Sequence, residues 1–419
     1  MSWIASVPKG WKRKRLKYLG TARNGLTFKP ENVTDKGILV LRSSNIQGNE
    51  LAFDDNVYVD MRIPRKIVLR ENDLLICSRN GSRTLIGKCA LINEETAGNT
   101  YGAFMCVYRS EYNRFIRYVM LSDIFGFYLS SFLTATINQL TNENLLDIEI
   151  LFPPEKEQQV IVSFLDERCC QIDDIITDME RQVKLLRKYK KALVTETVTK
   201  GLNNSVKMKD SCIEWIGEIP EHWKTANGKV IFEIFGGSIS DNDMSLIPVE
   251  KWHKILYFKV DDMNATQEGF EMEYDKELIF TPRKNKPLNS PLILVPKRGA
   301  AIYTNKVRIT NVDCCIDPNI MAIAINENIR YYAYLIFGRS LADIGDVSTI
   351  PQINNKHVNY FKVPIPTLSE QQAIANFLDG KCAEINNLIN EKLRSIDTMR
   401  KYKKSLIYEY VTGKKRVKI

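Results

Sequence analysis

Two short stretches combine the residue types that touch nucleic acid. "SRNGSR" at 78–83 and "PKRGA" at 296–300 each follow an apolar run of strand character. Both mix small residues, which let backbone approach closely, with Arg or Lys, and the first adds an amide side chain. Arg to guanine and Asn to adenine are the favourable bidentate base contacts, and basic side chains also neutralise phosphates. A polar hairpin that binds nothing uses the same residues, so both readings stay open on spacing alone.

Catalytic patterns are missing. "GSRTLIGKC" at 81–89 approaches a phosphate loop, but it holds five residues between its glycines instead of four, and Cys89 stands where a hydroxyl should meet magnesium. There is no G-x-S-x-G elbow, no H-E-x-x-H and no dinucleotide fingerprint opening a helix. "FPPE" at 152–155 lacks the Asn and the aromatic residue with which amino-methyltransferases hold a flipped base. Three histidines, His222, His253 and His357, stand far apart, and the nine cysteines never form C-x-x-C, so no metal ligand set is recognisable. The expectation is therefore a protein with no catalytic residues, no cofactor and no metal, whose task is binding.

A formal charge of +9 and a pI near 8.9 favour an acidic partner without naming one. Unpaired cysteines and a basic, tryptophan-bearing start ("MSWIASVPKGWKRKRLK") point to the cytoplasm. The apolar window at 118–137 has the length of a membrane span, yet it carries Asp123 and several Ser and Thr residues; a buried helix is expected there.

The loops need a scaffold, and the chain supplies one twice. The stretch from Pro153 to Gly201 returns at 366–414 after a shift of 213 residues without a gap, with 21 of its first 47 positions identical, far above chance. Glu157, Gln158 and Gln159 fall on Glu370, Gln371 and Gln372. Upstream, Trp3, Pro8 and Trp11 fall on Trp215, Pro220 and Trp223. Between these ends only scattered matches survive, such as Ile116, Arg117 and Tyr118 on Ile329, Arg330 and Tyr331, and Gln139 on Gln352. Matched ends share one task; divergent middles do different ones.

The matched C-terminal parts have the proline start, the early acid and the late basic cluster of long helices. Leu165, Cys169, Ile172, Ile176, Met179, Val183, Leu186 and Leu193 recur by three and four, interrupted by Lys190. Leu378, Cys382, Ile385, Ile389, Ile396, Met399 and Leu406 keep the same register, interrupted by Lys392 and Lys403. This is a coiled-coil seam. Each helix of roughly 40 residues spans about 60 Å, too long to bury its stripe on a small domain, so the two are expected to pair, either with each other or with those of a second chain. The basic runs at 11–17, 187–191 and 400–404 suit phosphates, a solvated surface or an acidic partner. The middles, with strand-like runs and one helical stretch each, read as α+β domains. The expected division is a first domain at 1–150, a central spacer helix at 151–201, a linker at 202–210, a second domain at 211–362 and a C-terminal helix at 363–419.

Two copies of W...P..W, a variable domain, P.P...EQ..I..FLD and a helix ending R.YK.SLI resemble the specificity subunit of type I restriction-modification systems over essentially the whole chain. The most specific residues are Pro153, Glu157, Gln158, Gln159, Phe164, Leu165 and Asp166, with Pro366, Glu370, Gln371, Gln372, Phe377, Leu378 and Asp379. The resemblance implies two globular target recognition domains separated by two long antiparallel coiled-coil helices, in a pseudo-twofold tandem repeat. It implies double-stranded DNA with a bipartite site as ligand, two modification subunits that methylate with S-adenosylmethionine, and restriction subunits that translocate and cleave with ATP. The segment at 25–51 resembles a well-populated type of first recognition domain, which implies DNA contact for Arg42, Asn45, Arg79, Asn80, Ser82 and Arg83. The second domain departs from that type, with K-V-D-D at 259–262 where the first has R-S-S-N at 42–45. Lys259, Lys297, Arg298, Asn305 and Lys306 are its candidates, each equally readable as surface. The rival readings are a stand-alone DNA methyltransferase or nuclease with degenerate motifs, and a coiled-coil scaffold that binds no DNA.

Overall fold

The computed structural model describes residues 7–133, 138–237, 252–264, 269–272, 279–282, 286–346 and 351–417; Trp3 lies outside them. The chain packs as two units, Met1–Asp178 with Ser395–Ile419, and Met179–Arg394. Each unit owns one α+β domain and about half of each of two long helices.

In the first unit, strands β1 (Lys12–Arg15), β2 (Thr21–Asn24), β3 (Leu74–Cys77), β4 (Cys89–Leu91), β5 (Met105–Arg109) and β6 (Glu149–Phe152) combine with helices α1 (Asn113–Leu121), α2 (Asp123–Phe132) and α3 (Asn142–Asp147). The main sheet is antiparallel in the order β2-β5-β3-β4. Strand β3 reads "LLIC" and is buried along its whole length, as an unbroken apolar run in a central strand should be. The apolar window at 118–137 breaks at Ser122 between α1 and α2. Among the described residues no helix is long and apolar enough to cross a membrane.

The long helices are α4 (Glu155–Lys200) and, at the C-terminal end of the chain, Leu368–Val411. Before the latter, the second unit repeats the first. Its strands β7 (Lys224–Asn227), β8 (Phe232–Gly236), β9 (Leu292–Pro296), β10 (Arg308–Thr310), β11 (Ile320–Ile325) and β12 (Lys362–Ile365) include a main sheet in the order β8-β11-β9-β10. That is the strand order of the first unit, and β9 ("LILVP") is again wholly buried. Helix α5 (Ile329–Arg339) follows β11 as α1 follows β5, and α6 (Asn355–Tyr360) precedes β12 as α3 precedes β6; the long C-terminal helix is α7. In both units the strand that follows the matched tryptophan, Trp11 or Trp223, closes on the strand that leads into a long helix, β1 on β6 and β7 on β12. The basic run at 11–17 is therefore largely a strand, and Arg15 and Lys17 pair with Asp147 at 3.4 and 2.9 Å.

The matched ends of the repeat build one clasp twice. Trp11 donates its indole N–H to Glu157 at 3.0 Å, and Trp223 donates to Glu370 at 3.0 Å. Gln158 donates to the Pro153 carbonyl and Gln371 to the Pro366 carbonyl, at 2.8 and 3.1 Å; both amides are buried and fix the entry into the helix. At the far ends, Gly201 and Gly413 take φ of +76° and +68°, the left-handed termination that glycine permits. A side chain at Gly201 would meet the Trp223 ring at 3.2 Å, and one at Gly413 would meet Pro8 at 2.6 Å.

Within each unit the long helices run antiparallel. In the first unit Lys403 reaches Asp173 at 2.5–2.7 Å and Phe164 meets Tyr410 at 4.6 Å between ring centroids. In the second, Lys190 donates to Asn386 at 2.8 Å and Lys392 to Gln182 at 2.5 Å, around a cluster of Val183, Ile385 and Ile389 with Leu186, Leu193 and Leu393 against it. The lysines that interrupt the apolar register thus meet polar partners on the facing helix. Lys190 with Asn386 and Lys403 with Asp173 are repeat equivalents, 213 residues apart at both ends. Leu165, Ile172, Ile176, Ile396 and Leu406 are buried along the seam, and Leu378 is buried but packs into the core of the second domain. Met179 and Met399 are half-buried.

Candidate nucleic-acid interface

The loop at 78–83 leaves the buried edge of β3 and is tied down by backbone. The N–H groups of Ser78 and Arg79 both donate to the Phe104 carbonyl at 3.0 Å, and Arg79 pairs across an antiparallel bridge with Gln139. These bonds leave the Arg79 side chain exposed, its guanidinium 5.3 Å from the centroid of the Phe104 ring. Phe104 itself is 60% exposed, unusual for a phenylalanine flanked by core strands. Asn80 donates to Ser43 at 3.1 Å and accepts from the Ser82 backbone at 2.9 Å, which joins this loop to the R-S-S-N turn. Ser82 and Arg83 are exposed, with one Arg83 nitrogen bound to the Leu133 carbonyl at 2.6 Å. Arg42 pairs with Asp55 at 2.9 Å.

Asn45, expected among the DNA contacts, has its side chain turned into the fold. It is fully buried; its oxygen accepts from the Arg42 backbone at 2.9 Å, and its amide donates to the Ala52 carbonyl and to Asn56 at 3.0 and 3.1 Å. Every polar atom of that side chain is committed, so none remains for adenine. The K-V-D-D segment performs the same cap with a different residue: Asp262 accepts from the Lys259 backbone at 2.8 Å. The fourth position of both motifs shapes the turn.

In the second unit, Lys297 and Arg298 follow β9 as Ser78 and Arg79 follow β3. The Ile353 N–H donates to the Lys297 carbonyl at 2.8 Å, as Leu140 donates to Ser78 at 2.8 Å. Arg298 bridges Gln352 as Arg79 bridges Gln139. Arg298 is exposed and Lys297 half-buried. Asn305 lies apart from this loop. Its amide donates to the Phe337 carbonyl and its oxygen accepts from the Leu341 N–H, each at 2.9 Å, so it locks α5 to its neighbour and is no base reader either. Asn305 and Lys306 line a cleft of about 880 Å³ together with Arg187 and Asn386 of the long helices. Lys259 rests with its ammonium 6.0 Å from the Tyr257 ring centroid. Sequence reasoning gave no role to Gln139 and Gln352, although their match across the repeat was visible.

The repeated sheet, the repeated clasp and the repeated basic loop have counterparts among known proteins. The family model for the type I restriction modification DNA specificity domain matches residues 8–185 and again 220–396. This chain belongs to that family. It is a DNA specificity subunit with two target recognition domains, the non-catalytic member of a type I restriction-modification complex. It is similar, at 26% identity over 99% of its length and 96% of the relative's, to a protein of Methanocaldococcus jannaschii assigned as the MjaX specificity subunit of a type I restriction enzyme. The MjaVIII specificity subunit of the same organism is 24% identical over 84% of this chain and 81% of its own length. A chain solved in work on complex assembly and conformational transition of the type I R-M system has the same fold, with a TM-score of 0.71 and 15% identity over 98% of this chain and 100% of that one. No metal-binding group of His, Cys, Asp or Glu occurs among the described residues.

Proposed function

We propose that each unit reads one half of a bipartite DNA target, and that the paired helices α4 and α7 set the gap between the halves and dock two modification subunits. Methylation with S-adenosylmethionine then belongs to those subunits, and ATP-driven translocation and cleavage to restriction subunits, all in the cytoplasm. The contacts we assign to DNA are Arg42, Arg79, Asn80, Ser82 and Arg83 in the first unit and Lys259, Lys297 and Arg298 in the second. The observation that carries this reading is the recurrence, on the same strand of the same sheet order, of a basic loop bridged to a glutamine. Two such loops provide two readers, and their different sequences provide two different half-sites. Two readers that face one side of DNA stand about 34–36 Å apart or a multiple of it; a helix of 46 residues is about 69 Å long, stiff and long enough to fix such a distance. The test is a map of methylated bases in cells carrying this chain with and without its modification subunits. A split motif that needs both is expected; methylation by this chain alone overturns the reading.

A further inference from the structure

We infer that Gln139 and Gln352 are specificity residues, one for each half-site, each reading the major-groove edge of an adenine beside the arginine that faces it. The inference rests on the DNA-reading role proposed for the two basic loops. Three observations carry it.

The first is survival across the repeat. Other matches in the divergent middles have structural roles: Ile116, Tyr118 and Tyr331 are buried, and Arg117 and Arg330 each pair with a glutamate, Glu50 and Glu271. Gln139 and Gln352 have no such explanation, because among the described residues neither side chain has a hydrogen-bond partner. Gln139 is half-buried and Gln352 exposed.

The second is placement. Gln139 stands opposite Arg79, and Gln352 opposite Arg298, in antiparallel bridges. Residues directly opposite in such a pair put their side chains on one face, with Cβ atoms about 5 Å apart. Each domain therefore presents an arginine and a glutamine side by side where two chain segments meet at a single bridge.

The third is chemistry. A glutamine amide donates and accepts at once, the pattern that adenine N7 and N6 complement, while arginine complements guanine. An arginine–glutamine pair kept in two domains whose remaining loop residues differ contacts something both half-sites contain.

The test uses the full complex with its modification subunits, on a duplex carrying the motif of the parent complex and on an unrelated duplex. Gln139→Ala is expected to weaken cognate binding roughly 5- to 150-fold, the value of one bidentate base contact. It is also expected to blur one adenine position of one half-site in the methylation map. Gln352→Ala does the same in the other half. Because an amide carries no charge, the slope of affinity against salt stays that of the parent. Gln139→Glu and Gln352→Glu keep the shape and the backbone bridge but place a carboxylate at an acceptor, and they should lose at least as much. Unchanged affinity and motif in all four variants overturn the inference. So does an equal loss on cognate and unrelated DNA accompanied by a lower melting temperature, which marks a structural glutamine. Failure of the DNA-reading role itself is separable, since the parent complex would then not prefer the cognate duplex.

Discussion

Trp223 donates its indole N–H to Glu370 at 3.0 Å, and His222 lies 2.8 Å from the same carboxylate oxygen. Burial pushes the Glu370 carboxyl up, but the hydrogen bonds from Trp223, Thr367 and His222 outweigh it and hold the group at about 2, against an ordinary value of 4.5. A carboxylate depressed on folding stabilises the protein fully above its unfolded pKa and loses that contribution as pH falls from about 4.5 towards 2. Glu370→Gln should therefore be clearly less stable than the parent at pH 6, by a smaller margin at pH 3, and nearly equal to it only at about pH 2 or below. Denaturation midpoints of both proteins across this range check the point, and a difference independent of pH would count against it.

The seam lysines make a second case. Lys190 is buried and bonded to the half-buried Asn386, so Lys190→Ala should cost about 1.5–3 kcal/mol by removing a hydrogen bond from a charged group. Replacing Lys190 and Asn386 together by Leu should recover most of that loss, because a polar pair at the seam adds little net stability over apolar contact there. Chemical denaturation of the single and double variants gives the coupling; simple additivity would show that the two side chains act independently.

Nine cysteines report on packing. Seven are buried, while Cys170 and Cys212 are exposed. Burial raises the thiols of Cys89 and Cys106 to about 12, which keeps them protonated and unreactive. A thiol reagent should titrate two cysteines rapidly in the native protein and the rest only after denaturation; rapid labelling of Cys77 or Cys106 would contradict the buried central strands.

Much of this was legible in the sequence, and for identifiable reasons. The long helices followed from apolar spacing of three and four, and the lysine interruptions were visible before their partners were. Those partners, Asp173 and Asn386, lie some 200 residues away in sequence on a helix of opposite direction, so no local pattern could reveal them. The loops at 78–83 and 296–300 were legible as basic and small. Their comparable positions, each after an apolar strand-like run, were legible too; the backbone bridges that tie them to Gln139 and Gln352 were not. Asn45 and Asn305 misled because residue type alone does not tell an amide offered to a ligand from one spent on capping a turn, and Asp262 does the latter job as well as Asn45.

The ruler role of the helices yields its own prediction. Four residues inserted after Thr177, within α4, add about 6 Å of helix, against about 3.4 Å for each base pair along a strand. The gap between half-sites should lengthen by about one or two base pairs while both half-site sequences persist. A changed half-site would assign sequence reading to the helices.

The division of reading between the two domains is tested most directly by mapping methylated sites in cells carrying the full system with Arg79→Ala, with Arg298→Ala, or with neither. Each substitution is expected to relax one half of the bipartite motif and to leave the other half and the gap intact. If either substitution degraded both halves, or neither half, the assignment of one basic loop to each half-site would be wrong.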